Sequence, residues 1–169
     1  MARIEIPDGD GPEVMRALTL VPHFADAVMA YETAVARSRL DRRLHELVRM
    51  RIAVINECVV CLNWRNADWG ASEEQLAAVA EYADSDLFTP AEKAALEFAE
   101  RFATDSARID DDLLERLTGH LTAPGVVDLT LVAGKYLALG RFMQVLGLDQ
   151  ACNITFDGSG DLVVTGAEN

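Results

Sequence analysis

Two cysteines separated by two valines, Cys58-Val59-Val60-Cys61, are the residues best suited to chemistry. On a helix, residues three apart place their Cβ atoms about 5–6 Å apart, whereas a disulfide needs about 3.5–4.5 Å. A frayed first turn closes that gap, so the pair could switch between dithiol and disulfide. A first turn also carries free N–H groups and the positive end of the helix dipole, which favour the reactive thiolate. Arg65 stands four residues beyond Cys61, where its charge would lower the Cys61 pKa further. Three other readings compete. A zinc site needs about four ligands, and only Cys152, His23, His45 and His120 remain to join the pair, with no second motif to group them. A thioredoxin-type site wants a preceding strand in a βαβ unit. Two half-buried cysteines packing as small hydrophobes is the plainest reading.

Glu46 adds a carboxylate to the constellation. At about 100° per residue, Leu44, Leu47, Val48, Ile52 and Ile55 share one face of a helix. Glu46 faces the other way, beside Met50 and Ala53. A helix buried on both sides would hold Glu46 in poorly solvated surroundings, raising its pKa and making it a usable proton acceptor. The competing reading is a salt bridge to Arg42 or Arg49, each within one turn, and spacing alone leans that way. Elsewhere His120 suits a helix C-terminus and His23 has no partner signal. Trp64 and Trp69 read as core or interface aromatics.

The elements that must position these residues are helical. Pro12, Pro22 and Asp41 start three helices, the third over about Arg42 to Ile55. Asn56 reads as the N-cap of a helix over Glu57 to Trp69, closed by Gly70. Ser72 and Gln75 form a capping box for about Glu73 to Ala83, as do Thr89 and Glu92 for a helix reaching about Ala103. Asp110 caps a short helix, and Pro124-Gly125 opens a long one that Gly147 ends. Ile154–Phe156 and Leu162–Val164 flank Asp157-Gly158-Ser159-Gly160-Asp161, which fits either a β-hairpin or a loose tail. The expectation is one all-α domain over residues 1–169, with a core of about 12–148 and a tail of 149–169.

Composition narrows the class. The 169 residues are 50% hydrophobic, ample for one core without metal or disulfide. A net charge of −13 argues against nucleic acid and anionic membrane. The N-terminus has no apolar signal region, and Asp128, Lys135 and Arg141 interrupt the most apolar stretch, so no membrane span is expected. Three cysteines without an export signal suggest a reducing, cytoplasmic setting, and an odd count argues against a purely structural disulfide framework. The last helix is apolar nearly all round, which implies a homo-oligomer.

Leu44-His45-Glu46-Leu47-Val48-Arg49-Met50-Arg51, followed by Asn56-Glu57-Cys58-Val59-Val60-Cys61, resembles the carboxymuconolactone decarboxylase / alkylhydroperoxidase D-like family. That family's redox motif is Glu, eleven residues, Cys, two residues, Cys, three residues, His; Glu46, Cys58 and Cys61 match it. Similarity continues through Gly70–Glu74, Thr89–Lys93 and the last long helix, spanning roughly Pro12 to Leu148. The resemblance implies an all-α bundle of seven to eight helices that assembles into dimers, trimers or hexamers. It implies a thiol-dependent peroxidase in which Cys61 attacks the hydroperoxide, Cys58 resolves the sulfenic acid to a disulfide, and Glu46 belongs to the proton relay. The reductant would be a dithiol, such as a lipoyl-bearing protein; no cofactor or metal is expected. One position departs: Arg65 stands where the family has histidine, and arginine cannot accept a proton at working pH. The chain is therefore expected to be a peroxidase with an altered relay, a redox-inactive or sensor-type structural oligomer of the same family, or a decarboxylase-like enzyme acting on a small acid. The cysteine pair, generally lacking in the decarboxylase branch, favours the peroxidase-like one.

Overall fold

The computed structural model describes residues 2–149, 153–156 and 162–165. Among them, eight α-helices follow in order: α1 (Glu13–Leu18), α2 (Pro22–Ala36), α3 (Arg42–Asn56), α4 (Val59–Asn63), α5 (Glu73–Ala77), α6 (Pro90–Thr104), α7 (Asp111–His120) and α8 (Ala123–Leu146). The all-α expectation holds. Asp41, Ser72, Thr89, Asp110 and Thr122 each accept a backbone N–H three residues on, and Ser72 and Thr89 do so within complete capping boxes. Two short tail strands, β1 (Asn153–Phe156) and β2 (Leu162–Thr165), pair antiparallel with Asn153 opposite Thr165. Cys152 and the turn between the strands lie outside the described residues.

The centre of the fold is α3. Eleven of its fifteen residues are buried. One side, with Leu44, Val48 and Ile52, packs into a core shared with Phe98 and Ala99 of α6, Leu113 and Leu117 of α7, and Leu129 and Val132 of α8. The other side, with Leu47, Met50 and Ala53, meets Leu76, Val79, Phe88 and Leu96. Burial on both sides is as expected, although Leu47 joins the second cluster rather than the face of Leu44.

The segment after α3 departs most from expectation. Asn56 ends α3 instead of capping a new helix. Glu57 then adopts a left-handed conformation (φ 51°), Cys58 occupies the N-cap, and only Val59–Asn63 is helical. A 3₁₀ turn at Ala67–Trp69 follows, closed by Gly70 at φ 82°. Trp64 is extended (φ −75°, ψ 141°), and residues 64–66, which belong to no helix, interrupt the expected long one. The helix after Ser72 likewise stops at Ala77 rather than Ala83.

Asn56 ties this turn to α8. Its side-chain amide donates to the carbonyls of Tyr136 and Leu137 at 3.1 and 3.3 Å. Gly140 leaves the room: a Cβ there would lie 2.5 Å from Asn56 Nδ2, whereas at Gly134 the nearest atom would be 3.7 Å away. Gly140→Ala is therefore expected to lose about 1–3 kcal/mol through overpacking, while Gly134→Ala gains about 0.5–1 kcal/mol by relieving a helical glycine. Urea unfolding of both variants measures the two opposite shifts.

Candidate active site

Glu46 and Arg49, one turn apart on α3, form a buried ion pair exposed by only 1% and 2%. Arg49 donates from Nε to Glu46 Oε2 at 2.7 Å and from Nη2 to Oε1 at 2.6 Å. Its remaining reach is used on the cysteine segment: Nη1 donates to the carbonyl of Cys61 (2.6 Å) and Nη2 to that of Trp64 (2.9 Å). Asn66 completes the carboxylate's partners, through its side chain to Oε2 at 2.6 Å and its backbone N–H to Oε1 at 3.3 Å. One helix-borne ion pair thus anchors Cys61 in the last turn of α4 together with Trp64 and Asn66 beyond its end, where backbone groups need partners.

This geometry corrects the expectation of a raised Glu46 pKa. Burial does push the carboxyl upward, but the hydrogen bonds and charge of Arg49, with those of Asn66, outweigh it and hold the pKa below the usual carboxylate range. The salt-bridge reading is the one that the structure bears out, with Arg49 as the partner.

The two sulfurs lie 2.8 Å apart, hydrogen-bonded to each other. Cys58 is fully buried, while Cys61 is partly exposed. The Cys58 thiol is drawn down to about 7: the Cys61 thiol donates to it, and against the opposing effect of burial the N–H groups of Cys61 and Val60 and the charge of Arg49 act in the same direction. Cys61 is pushed up by that same hydrogen bond, by burial and by the charge on Cys58. The first proton therefore leaves the pair as a unit, with the charge resting on Cys58. This reverses the expected lowering at Cys61. Nor does Arg65 act on it: its Nε donates to Glu73 at 3.0 Å, and its Nη1 to the carbonyls of Leu62 and Trp64. The cation whose charge acts on both thiols is Arg49, with Lys135 acting on Cys61 as well.

Cys61 opens onto a cavity of about 500 Å³ between α1, α2, α4 and α8. Its wall is mainly apolar, with Met15, Leu18, Val28, Met29, Leu139, Phe142 and Met143. Polar groups enter from Arg49, Glu32, Lys135 and Tyr136. Trp64 also lines it, whereas Trp69 packs against His45 with rings tilted by 59° at a centroid distance of 4.7 Å. His45 is 3% exposed and its Nε2 lies 3.2 Å from the Tyr136 hydroxyl, so it supports the cavity wall from behind. Sequence reasoning missed Lys135, Tyr136 and Glu32 as site residues. A lysine interrupting the most apolar helix was the available signal. No group of three His, Cys, Asp or Glu side chains suited to a metal occurs among the described residues, and no helix among them is long and apolar enough to cross a membrane.

Comparison with known proteins agrees with this architecture. Residues 22–101 match the carboxymuconolactone decarboxylase family. The uncharacterized protein YdfG of Bacillus subtilis is 26% identical over 132 residues, spanning 76% of this chain and 90% of YdfG. The uncharacterized protein YnjA of Escherichia coli is 33% identical over 115 residues, spanning 66% of this chain and 63% of YnjA. A crystal structure of an Agrobacterium tumefaciens protein of unknown function, described as a candidate antioxidant defence protein AhpD, superposes with a TM-score of 0.69 at 26% identity, over 77% of this chain and 92% of that one. Over residues 22–101 the chain is thus similar to the carboxymuconolactone decarboxylase family, and its fold is that of the Agrobacterium protein.

Two outcomes test the site's physics. Glu46→Gln leaves the Arg49 charge buried without its counter-ion and is expected to lose about 3–5 kcal/mol, read from urea unfolding. His45 is held neutral down to about 4, by burial first and then by the charge of Lys135. An unfolded histidine titrates near 6.5, so between these values the unfolded state binds more protons. Stability is therefore expected to fall as pH drops from about 6.5 toward 4, with a shallower fall in His45→Asn. The pH dependence of the urea midpoint checks this.

Proposed function

We propose that this protein is a thiol-dependent hydroperoxide reductase with Cys61 as the attacking sulfur and Cys58 as the resolving one. The observation that carries the reading is the pair of sulfurs 2.8 Å apart, of which only Cys61 opens onto the cavity. The pair ionises near neutrality, and the shared proton can move from Cys61 to Cys58 across the short S–S contact. That shift puts the thiolate where a peroxide can reach it. The Cys61 thiolate attacks the terminal peroxide oxygen, the O–O bond breaks, and the alkoxide leaves and takes up a proton. Cys58 then attacks the Cys61 sulfenic acid, forming the disulfide and releasing hydroxide, which is protonated to water. Two electrons pass from the two sulfurs to the peroxide. A dithiol, in the family a lipoyl group on a protein, returns them by thiol–disulfide exchange.

A mostly apolar cavity suits an organic hydroperoxide and gives poor purchase to a small anionic lactone. Its two cations are already matched by Glu46 and Glu32, which weighs against the decarboxylase-like alternative. Assembly into a homo-oligomer in the cytoplasm belongs to the same reading; Val127, Leu131 and Val145 expose apolar surface along α8 that a second subunit could cover.

One observation favours a second reading. Glu46 is engaged by four hydrogen bonds and Arg65 is turned to Glu73, so the motif's own relay is absent. A sensor-type oligomer would then oxidise once without cycling. Stopped-flow mixing with cumene hydroperoxide is expected to consume two thiols per peroxide and to cycle with dihydrolipoamide, and Cys61→Ser to slow the reaction by about 10³-fold or more. Oxidation without cycling supports the sensor; an unimpaired Cys61→Ser variant removes the peroxidase assignment.

A further inference from the structure

Lys135 sits in the middle of α8 with 4% of its surface exposed, in the wall of the cavity that Cys61 enters. Its Nζ lies 2.7 Å from Glu32 Oε2 and 3.8 Å from the centroid of the Tyr136 ring. Taking an ammonium out of water is expensive, and well-packed apolar residues often replace a buried ion pair without loss of stability. A clamp between α2 and α8 therefore gives weak reason to keep a lysine here. Its position gives a better one. Glu32 lines the same cavity, and its side chain is 39% exposed. Lys135 and Glu32 thus form a polar path from the Cys61 cavity to solvent across a mainly apolar wall.

We propose that Lys135 is the cation and proton carrier for the Cys61 thiol, with Glu32 linking it to solvent, in place of the relay that Glu46 and the residue at position 65 no longer provide. The peroxide step rests on the peroxidase reading; the action on the thiol does not. The ammonium stabilises negative charge on Cys61 when the pair's proton sits on Cys58. When the O–O bond breaks, the alkoxide takes a proton from the Lys135 ammonium and leaves as the alcohol. The neutral amine is reprotonated from water by way of the Glu32 carboxylate. Burial pushes the Lys135 pKa below that of an ordinary lysine, against the pull of Glu32, which makes the ammonium a readier donor. The charged or titratable groups facing it are Glu32 from α2, His45 and Arg49 from α3, Cys61 from α4 and Tyr136 from α8.

The test is the pH profile of iodoacetamide alkylation of the reduced 169-residue chain carrying Cys152→Ser, followed by peptide mass spectrometry, which reads Cys61 because Cys58 is sealed. Lys135→Met and Lys135→Gln are expected to raise the midpoint by about one pH unit, and Lys135→Arg, which keeps the charge, to hold it near the wild-type value. Arginine cannot release its proton, so Lys135→Arg is expected to fall with Lys135→Met, by about 100-fold, in its rate of oxidation by cumene hydroperoxide. Unchanged midpoints in the Met and Gln variants, with wild-type circular dichroism, overturn the proposal. So does a Lys135→Arg midpoint that rises as far as that of Lys135→Met. A wild-type chain that shows this dependence on Lys135 yet leaves peroxide untouched counts against the peroxidase reading and supports the action of Lys135 on the thiol.

Discussion

A buried guanidinium joined to a buried carboxylate holds the candidate site together. Arg49 and Glu46 reach it from adjacent turns of the same central helix, so their separation is set by α3 itself. Each also bonds the chain at and beyond the short helix α4: Arg49 donates to the carbonyls of Cys61 and Trp64, and Glu46 accepts from Asn66. Neither charge could remain in so dry a place alone. Together they neutralise each other and meet the polar backbone groups of a turn that no ladder serves. The position of Cys61 relative to the cavity follows from that anchoring.

The same arrangement redistributes chemical roles within the motif. A carboxylate that accepts four hydrogen bonds and is held ionised is a poor proton acceptor, so Glu46 acts as an anchor. The N–H groups at the start of α4, the Arg49 charge and the Cys61 thiol all lower the proton affinity of Cys58, the sulfur that has no access to the cavity. The sulfur with access, Cys61, can become a thiolate when a proton crosses to its neighbour. In the proposed peroxidase, division of labour between an ionised, sealed cysteine and a protonated, accessible one would keep the pair stable at rest and reactive toward a peroxide in the cavity.

Much of the fold was legible because its signals are local. Asp41, Ser72, Thr89 and Asp110 mark helix starts through hydrogen bonds that span three residues, and the alternating faces of α3 follow from helical spacing. The cysteine pair and Glu46 were legible from type and spacing. Their electrostatics were not, because the pKa of Glu46 depends on Asn66, twenty residues away, and that of Cys58 on a break in helical conformation at Glu57. Arg65 was misread for the same reason: the helix that would have placed it over Cys61 ends at Asn63, and the guanidinium turns to Glu73. Lys135 and Glu32 lie about a hundred residues apart in sequence, so only the packing of α2 against α8 shows that they face one cavity.

In the proposed peroxidase the accessible sulfur, Cys61, is the one that meets peroxide. Peptide mass spectrometry of the Cys58→Ser variant, treated with one equivalent of cumene hydroperoxide in the presence of dimedone, tests it most directly. A dimedone adduct of sulfenic acid is expected on the peptide carrying Cys61. An unmodified Cys61 under conditions where the wild-type pair oxidises would contradict it.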